Sequence, residues 1–143
     1  GKKPSISDNK NLTYKRDRSN IFVIMNMKND TTEIQIAEYL KVLGSPFRIQ
    51  ILFSIGSGEA CVCHLEAILK KRQAYISQHL MVIRDAGILD TRRDGKYIYY
   101  RVADKGLFEL FKSTAEILNL PSGSLVDLSE SPKQINCDCP QCQ

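Results

Sequence analysis

No apolar run in this 143-residue chain approaches the ~18 residues that a membrane-spanning helix needs. Ile21-Phe-Val-Ile24 is too short for a span or for the apolar core of a secretory signal. No membrane partner is expected, and cytoplasm is the expected compartment, where thiols stay reduced. Histidine is scarce, with two in the chain. There is no glycine-rich phosphate loop and no metal–water site with a base beside it, so an enzyme is not expected. The cysteine count of five is odd, which excludes a fully paired intrachain disulfide framework.

What is present suits one ordinary domain with a real core, since 43% of the residues are hydrophobic. The net charge of +4 is modest but unevenly spread. Residues 1–20 carry six basic and two acidic side chains. Residues 70–101 carry eight basic side chains (Lys70, Lys71, Arg72, Arg84, Arg92, Arg93, Lys96, Arg101) against Asp85, Asp90 and Asp94. Such a stretch inside a folded region is a candidate phosphate footprint. On charge alone, a solvated basic face explains it equally.

The cysteines fall in two groups, Cys61-Val-Cys63 and Cys137-Asp-Cys139-Pro-Gln-Cys142. Thiolates at such spacing grip a soft metal or do redox chemistry. Cys61 and Cys63 are two positions apart, so an ideal helix would point them about 200° from each other. They share one ion only if the helix start is loosened or another segment wraps over them. They follow Gly58 in the first turn, where the helix dipole favours thiolate. The bland alternative is that one is a small buried apolar residue. Nothing in the polar tail demands buried sulfur, so its three thiols read as ligands. His64 beside the pair reads as a surface residue.

Along the chain, residues 1–30 read as a disordered basic arm. Gly1 is not a natural start, and Met25 and Met27 are candidate first residues. Residues 31–120 read as the folded domain and 121–143 as a flexible cysteine-bearing tail. Thr32-Glu-Ile-Gln35 fits a capping box before a helix over roughly 33–43, with Ile36, Leu40 and Leu43 inward. Ser45-Pro46 starts a second helix with Phe47, Ile51, Leu52 and Ile55 inward. A third covers about 61–70, with Val62, Leu65, Ile68 and Leu69 inward. A fourth covers about 73–86, with Ile76, Leu80 and Ile83 inward. Ile88–Arg93 and Lys96–Val102 then alternate like strands around Asp94-Gly95, a strong hairpin signal. A last helix is capped by Asp104 and carries Leu107, Phe108, Phe111, Ala115 and Leu118 on one side. This order is a mainly α fold with a β-hairpin wing, a winged helix-turn-helix. On the fourth helix Gln73, Ala74, Tyr75, Ser77, Gln78 and His79 face outward as candidate major-groove readers. Arg84, Arg92, Arg93 and Lys96 are the candidate phosphate contacts. Part of the stripe Leu107, Phe108, Phe111 and Leu118 is expected to bury against a second copy of the chain.

These residues resemble the ArsR/SmtB family of metal-responsive repressors over roughly 33–119. The family's Glu-Leu-Cys-Val-Cys-Asp-Leu appears as Glu59-Ala-Cys61-Val-Cys63-His-Leu65. Leu43-Gly-Ser-Pro46-Phe-Arg48-Ile-Gln-Ile-Leu52 resembles its Leu-x-x-Pro-x-Arg-x-x-Ile-Leu segment. Ile76-Ser-Gln-His-Leu80, with Leu89, Arg93, Gly95, Tyr99 and Tyr100, is similar to its recognition helix and wing. The resemblance implies a homodimer built on the first and last helices, bound to a twofold-symmetric double-stranded operator and released when metal binds. This chain departs from each ligand pattern. Glu66 stands where the arsenite-type pattern has a third cysteine. The N-terminal arm lacks the cysteines of the cadmium/lead type. Asp104 of the zinc-type pattern remains, but Gly106, Ile117 and Leu120 occupy its other ligand positions.

The expectation is therefore a repressor induced by As(III)/Sb(III) or Cd(II)/Pb(II), held by Cys61 and Cys63 with Cys137, Cys139 and Cys142 of the tail, in cis or across the dimer. One rival is a redox- or persulfide-responsive repressor using the same thiols. Another is a winged-helix protein with structural zinc in its tail.

Overall fold

The computed structural model describes residues 31–121, 123–125 and 139–140. The expected arm over 1–30, and the tail thiols Cys137 and Cys142, lie outside the described residues. The chain divides after Gly44 into two compact units.

In the first unit, helix α1 spans Thr32–Leu43. Thr31 caps it, its side chain accepting from the Ile34 amide at 3.3 Å. The cap is thus one residue earlier than the Thr32 spacing implies. Either threonine could serve, and Thr31 has the extended backbone a cap needs. The expected inward face is buried only at Leu43, while Ile34, Ile36 and Leu40 are exposed. No second described element of this unit covers them.

The second unit runs α2 (Pro46–Ile55), β1 (Glu59–Cys61), α3 (Val62–Leu69), α4 (Gln73–Asp85), β2 (Leu89–Asp94), β3 (Tyr97–Val102) and α5 (Gly106–Ile117). Ser45 accepts from the Arg48 amide and Pro46 opens α2, as the Ser-Pro pair requires. Helices α2, α3 and α4 pack on one another and on the sheet. Ile51, Leu52, Ile55, Leu65, Ile76, Leu80 and Ile83 form the fully buried centre. Truncating such a side chain typically costs about 2–5 kcal/mol. This is a winged helix-turn-helix, with α3 and α4 as the paired helices and β2–β3 as the wing.

Three details correct the sequence reading. First, residues 59–61 are a strand, and the third helix starts at Val62 rather than Cys61. Strand β1 joins β3, giving the antiparallel order β1-β3-β2. Second, the hairpin loop is Gly95-Lys96, since Asp94 still pairs with Tyr97. Gly95 takes φ +64°, leading a two-residue loop with glycine first, as a type II′ turn prefers. Third, His64 is buried at 7% exposure, and Val62, Ile68 and Leu69 are only partly covered. Leu65, as expected, and His64 are the buried residues of α3. No helix among the described residues is long and apolar enough to cross a membrane.

Candidate functional site

Cys61 sits at a junction. It is the last residue of β1 and the N-cap of α3, with φ −87° and ψ 166°. Its sulfur accepts from the His64 amide at 3.4 Å, in the place of a capping hydroxyl. Cys63 lies in the first turn of α3. The extended backbone at Cys61 removes the angular separation that a continuous helix would impose. The two sulfurs are 2.6 Å apart. Cys139 closes the group from the far end of the same chain, its sulfur 3.3 Å from that of Cys61. All three ligand atoms lie within 4.8 Å of one another. Cys61 is 3% exposed and Cys139 0%, and both pack on Tyr99, with Cys63 and Tyr97 alongside.

The donor set fits a soft ion. Sulfur is the ligand that thiophilic metals and metalloids select. Clustered thiolates out of water are costly unless a cation neutralises them. The N-terminal turn of α3 also favours the thiolate form. No disulfide joins Cys61, Cys63 and Cys139 to one another. His64 is not part of the group of candidate ligands.

The second face is basic and amide-bearing, a chemistry complementary to nucleic acid. Lys70, Lys71 and Arg72 form the connector from α3 to α4, with Lys70 in the left-handed conformation at φ 58°. Arg72 caps α4 without a side-chain hydrogen bond, so first-turn amides remain for solvent or phosphate. Gln73, Ala74, Tyr75 and Gln78 are exposed, and Ser77 is half-buried. His79 is also half-buried rather than fully outward. It packs edge-on to Phe47 and Tyr75, and its Nδ1 accepts from Arg48 Nε at 3.4 Å. Burial, and then the Arg48 charge, hold its pKa below the ordinary value of 6.5.

On the wing, Arg93 and Lys96 are exposed. Arg93 donates to the Gly95 carbonyl and Lys96 lies over the Tyr97 ring. Arg84 on α4 is exposed beside Asp85, 3.4 Å away. Arg92 is engaged: its Nε donates to both carboxylate oxygens of Glu59, at 3.1 and 3.3 Å, and its Nη2 also reaches Glu59. That hydrogen bond raises the Arg92 pKa. The sequence reading named Glu59 and Tyr99 only as motif positions, because a three-residue strand shows no alternation and a tyrosine in a wing reads as packing.

On α5, Leu107 and Phe111 are buried in the unit's own core, with Phe111 and Phe108 against Phe53. Phe108 is half-buried. The exposed apolar residues are Leu110, Ile117, Leu118 and Leu120. Of the expected self-association stripe, Leu118 is thus the member left on the surface. The helix carries more apolar positions than one face can hold, which hid the division. Asp104 accepts from the Gly106 amide at 2.8 Å, although Lys105 occupies the cap position.

The family described as "Bacterial regulatory protein, arsR family" matches residues 45–91. The chain is 39% identical over 99 residues to the "Biofilm growth-associated repressor" of Agrobacterium fabrum, covering 69% of this chain and 83% of that protein. The chain belongs to the arsR family of bacterial regulatory proteins. It is a DNA-binding transcriptional repressor, not an enzyme. It is also 31% identical over 78 residues to a "Cadmium resistance transcriptional regulatory protein CadC homolog" of Staphylococcus aureus, covering 54% of this chain and 64% of that one. Among solved structures it resembles the homodimeric winged helix-turn-helix domain of Mb0332 from Mycobacterium bovis. There the TM-score is 0.54 at 27% identity, covering 59% of this chain and 79% of that one.

Proposed function

We propose that this arsR-family repressor leaves its operator when Cys61, Cys63 and Cys139 take up a soft thiophilic ion. One observation carries the reading: sulfurs from residues 61, 63 and 139 lie within 4.8 Å of one another in a largely buried pocket. As(III) or Sb(III) would take these three thiolates. Cd(II) or Pb(II) would take three or four, with Cys137 or Cys142 as the further donor. The name of the cadmium-resistance relative supports this class of inducer.

The chain's own residues supply the transmission. Cys61 ends β1 and caps α3, and α3 packs on α4. A change in the geometry of that cap tilts the first turn of α3 and moves the reader helix. Gln73, Ala74, Tyr75, Ser77, Gln78 and His79 read the major groove in this proposal. Arg84, Arg92, Arg93 and Lys96 hold phosphates. The exposed apolar residues of α1 and α5 favour a homodimer, in line with the homodimeric Mb0332 domain. Two reader helices then call for half-sites about 10 bp, or a multiple, apart.

The test is DNA release across As(III), Sb(III), Cd(II), Pb(II) and Zn(II), measured anaerobically with chelator reversal. Release by one or more thiophilic ions, reversed by chelator, is expected. Indifference to all five would overturn the reading. The 2.6 Å approach of Cys61 and Cys63 favours a second reading, thiol oxidation. Mild peroxide would then release DNA with the mass loss of one disulfide and no ion.

A further inference from the structure

Cys61, Tyr99 and Arg92 form one row across the sheet. Cys61 on β1 is register partner to Tyr99 on β3, and Tyr99 is partner to Arg92 on β2. Opposed residues share a face, and so do residues two apart on one strand. Glu59 therefore lies on the same face as Cys61, at the other end of the three-residue strand. Its carboxylate crosses β3 to grip the guanidinium of Arg92, which lies 4.6 Å over the Tyr99 ring. Tyr99 is buried in one cluster with Cys61 and Cys139. A single short strand thus carries a thiol of the sensing cluster at one end and the counter-charge of a wing arginine at the other.

Arg92 cannot offer the same guanidinium edge to Glu59 and to a phosphate, because both demand its parallel N–H groups. The pair is also weak enough to be contested. The Arg92 side chain is 47% exposed, and exposed ion pairs hold their partners only loosely. Wing docking can break it, and a small stabilisation can restore it.

We propose that Glu59 competes with operator phosphate for Arg92, and that the loaded thiol site tips this competition toward Glu59. This rests on the reading of Cys61, Cys63 and Cys139 as the sensing site. Ligation at Cys61 steadies the end of β1 and the Tyr99 ring, which keeps Glu59 in reach of Arg92 and withholds the wing from DNA. In the DNA-bound form the ion pair is open and Arg92 sits on phosphate. Glu59 is a positioning residue: it touches neither ion nor DNA.

The experiment uses the full chain, Cd(II) as the probe, and a duplex selected by the protein from a random-sequence pool. Glu59→Gln keeps the size of the side chain and removes its charge. It is expected to bind DNA about two- to fivefold more tightly without Cd(II), the range an exposed pair allows. Its salt dependence should steepen by about one phosphate contact. Cd(II)–thiolate absorption should remain, while Cd(II)-driven release shrinks. Any removal of negative charge near DNA raises affinity, so the deciding arm is Arg92→Gln. In that background Glu59→Gln should have no further effect, since a pair acting as a unit is non-additive. Additive effects of the two substitutions would overturn the proposal and leave the sensing site standing. Unchanged release by Glu59→Gln would do the same. A wild-type chain that forms no Cd(II)–thiolate absorption, or forms it without releasing DNA, would overturn this proposal together with the reading beneath it.

Discussion

Cys61 and Cys63 bring their sulfurs to 2.6 Å because Cys61 is the end of a strand and Cys63 the beginning of a helix. On a continuous helix the same pair would diverge by about 200°. The junction makes a two-residue spacing chelating. It also makes Cys61 a structural part of α3, through the amide of His64. In the proposed function, occupation of the thiols would therefore act directly on the first turn of α3.

Cys61→Ser and Cys63→Ser should bind operator DNA normally and ignore ions that release the wild type. Serine is a good N-cap, so Cys61→Ser keeps the start of α3 while losing the soft ligand. Allosteric coupling of about 1–3 kcal/mol corresponds to a roughly 5–150-fold loss of DNA affinity on induction, and that factor should fall to one. Cys139→Ser should keep a response that needs more ion, because two of three thiols remain. Fluorescence anisotropy alongside metal–thiolate absorption measures both. Normal induction of Cys61→Ser and Cys63→Ser would place sensing elsewhere.

His79 should make the fold acid-sensitive. Its pKa is depressed by burial against the aromatic pair and by Arg48. The unfolded chain therefore binds the proton more readily than the folded one. The stability this neutral imidazole contributes is present above about pH 6.5 and is lost as pH falls through the lower folded value. Thermal unfolding between pH 7.5 and 5 should show Tm dropping on the acid side. His79→Gln should flatten that part of the profile, and an unchanged slope would refute the assignment.

Much of this fold was legible in the residues. Ser45-Pro46, the Ile76–Leu80–Ile83 spacing and the β-like runs around Gly95 announce their elements because each signal is local. The thiol site was legible only in part. Cys61 and Cys63 are readable as a pair, but the strand that lets them converge owes its existence to pairing with β3, forty residues away. The burial of Cys139 and the grip of Glu59 on Arg92 are likewise tertiary facts without a local pattern. Leu107 and Phe111 share a helical stripe with Leu118, and periodicity alone does not say which part meets its own core.

Ile117, at 78% exposure, should be a sensitive point of self-association. Ile117→Asp should leave the protomer folded and shift sedimentation toward monomer, with weaker DNA binding, since two linked half-sites are lost. Phe111→Asp should instead unfold the domain, because Phe111 packs on Phe53 inside the protomer. Circular dichroism separates the two outcomes. A fully dimeric Ile117→Asp would remove α5 from the interface.

The reader helix and the wing should fail in different ways. Gln78 is exposed on the early part of α4, and its amide can pair bidentately with adenine. Gln78→Ala should lose about 1–3 kcal/mol of discrimination at one base pair of each half-site, with little change on unrelated DNA. Arg93 is exposed on the wing, where its side chain donates to the Gly95 carbonyl. Arg93→Ala should weaken selected and unrelated duplexes alike, and flatten the salt dependence by about one contact per subunit. Titrations at several salt concentrations on both duplexes give affinity and slope together. Sequence-selective loss from Arg93→Ala, or a uniform loss from Gln78→Ala, would reverse these roles and require that the wing, not α4, enter the groove.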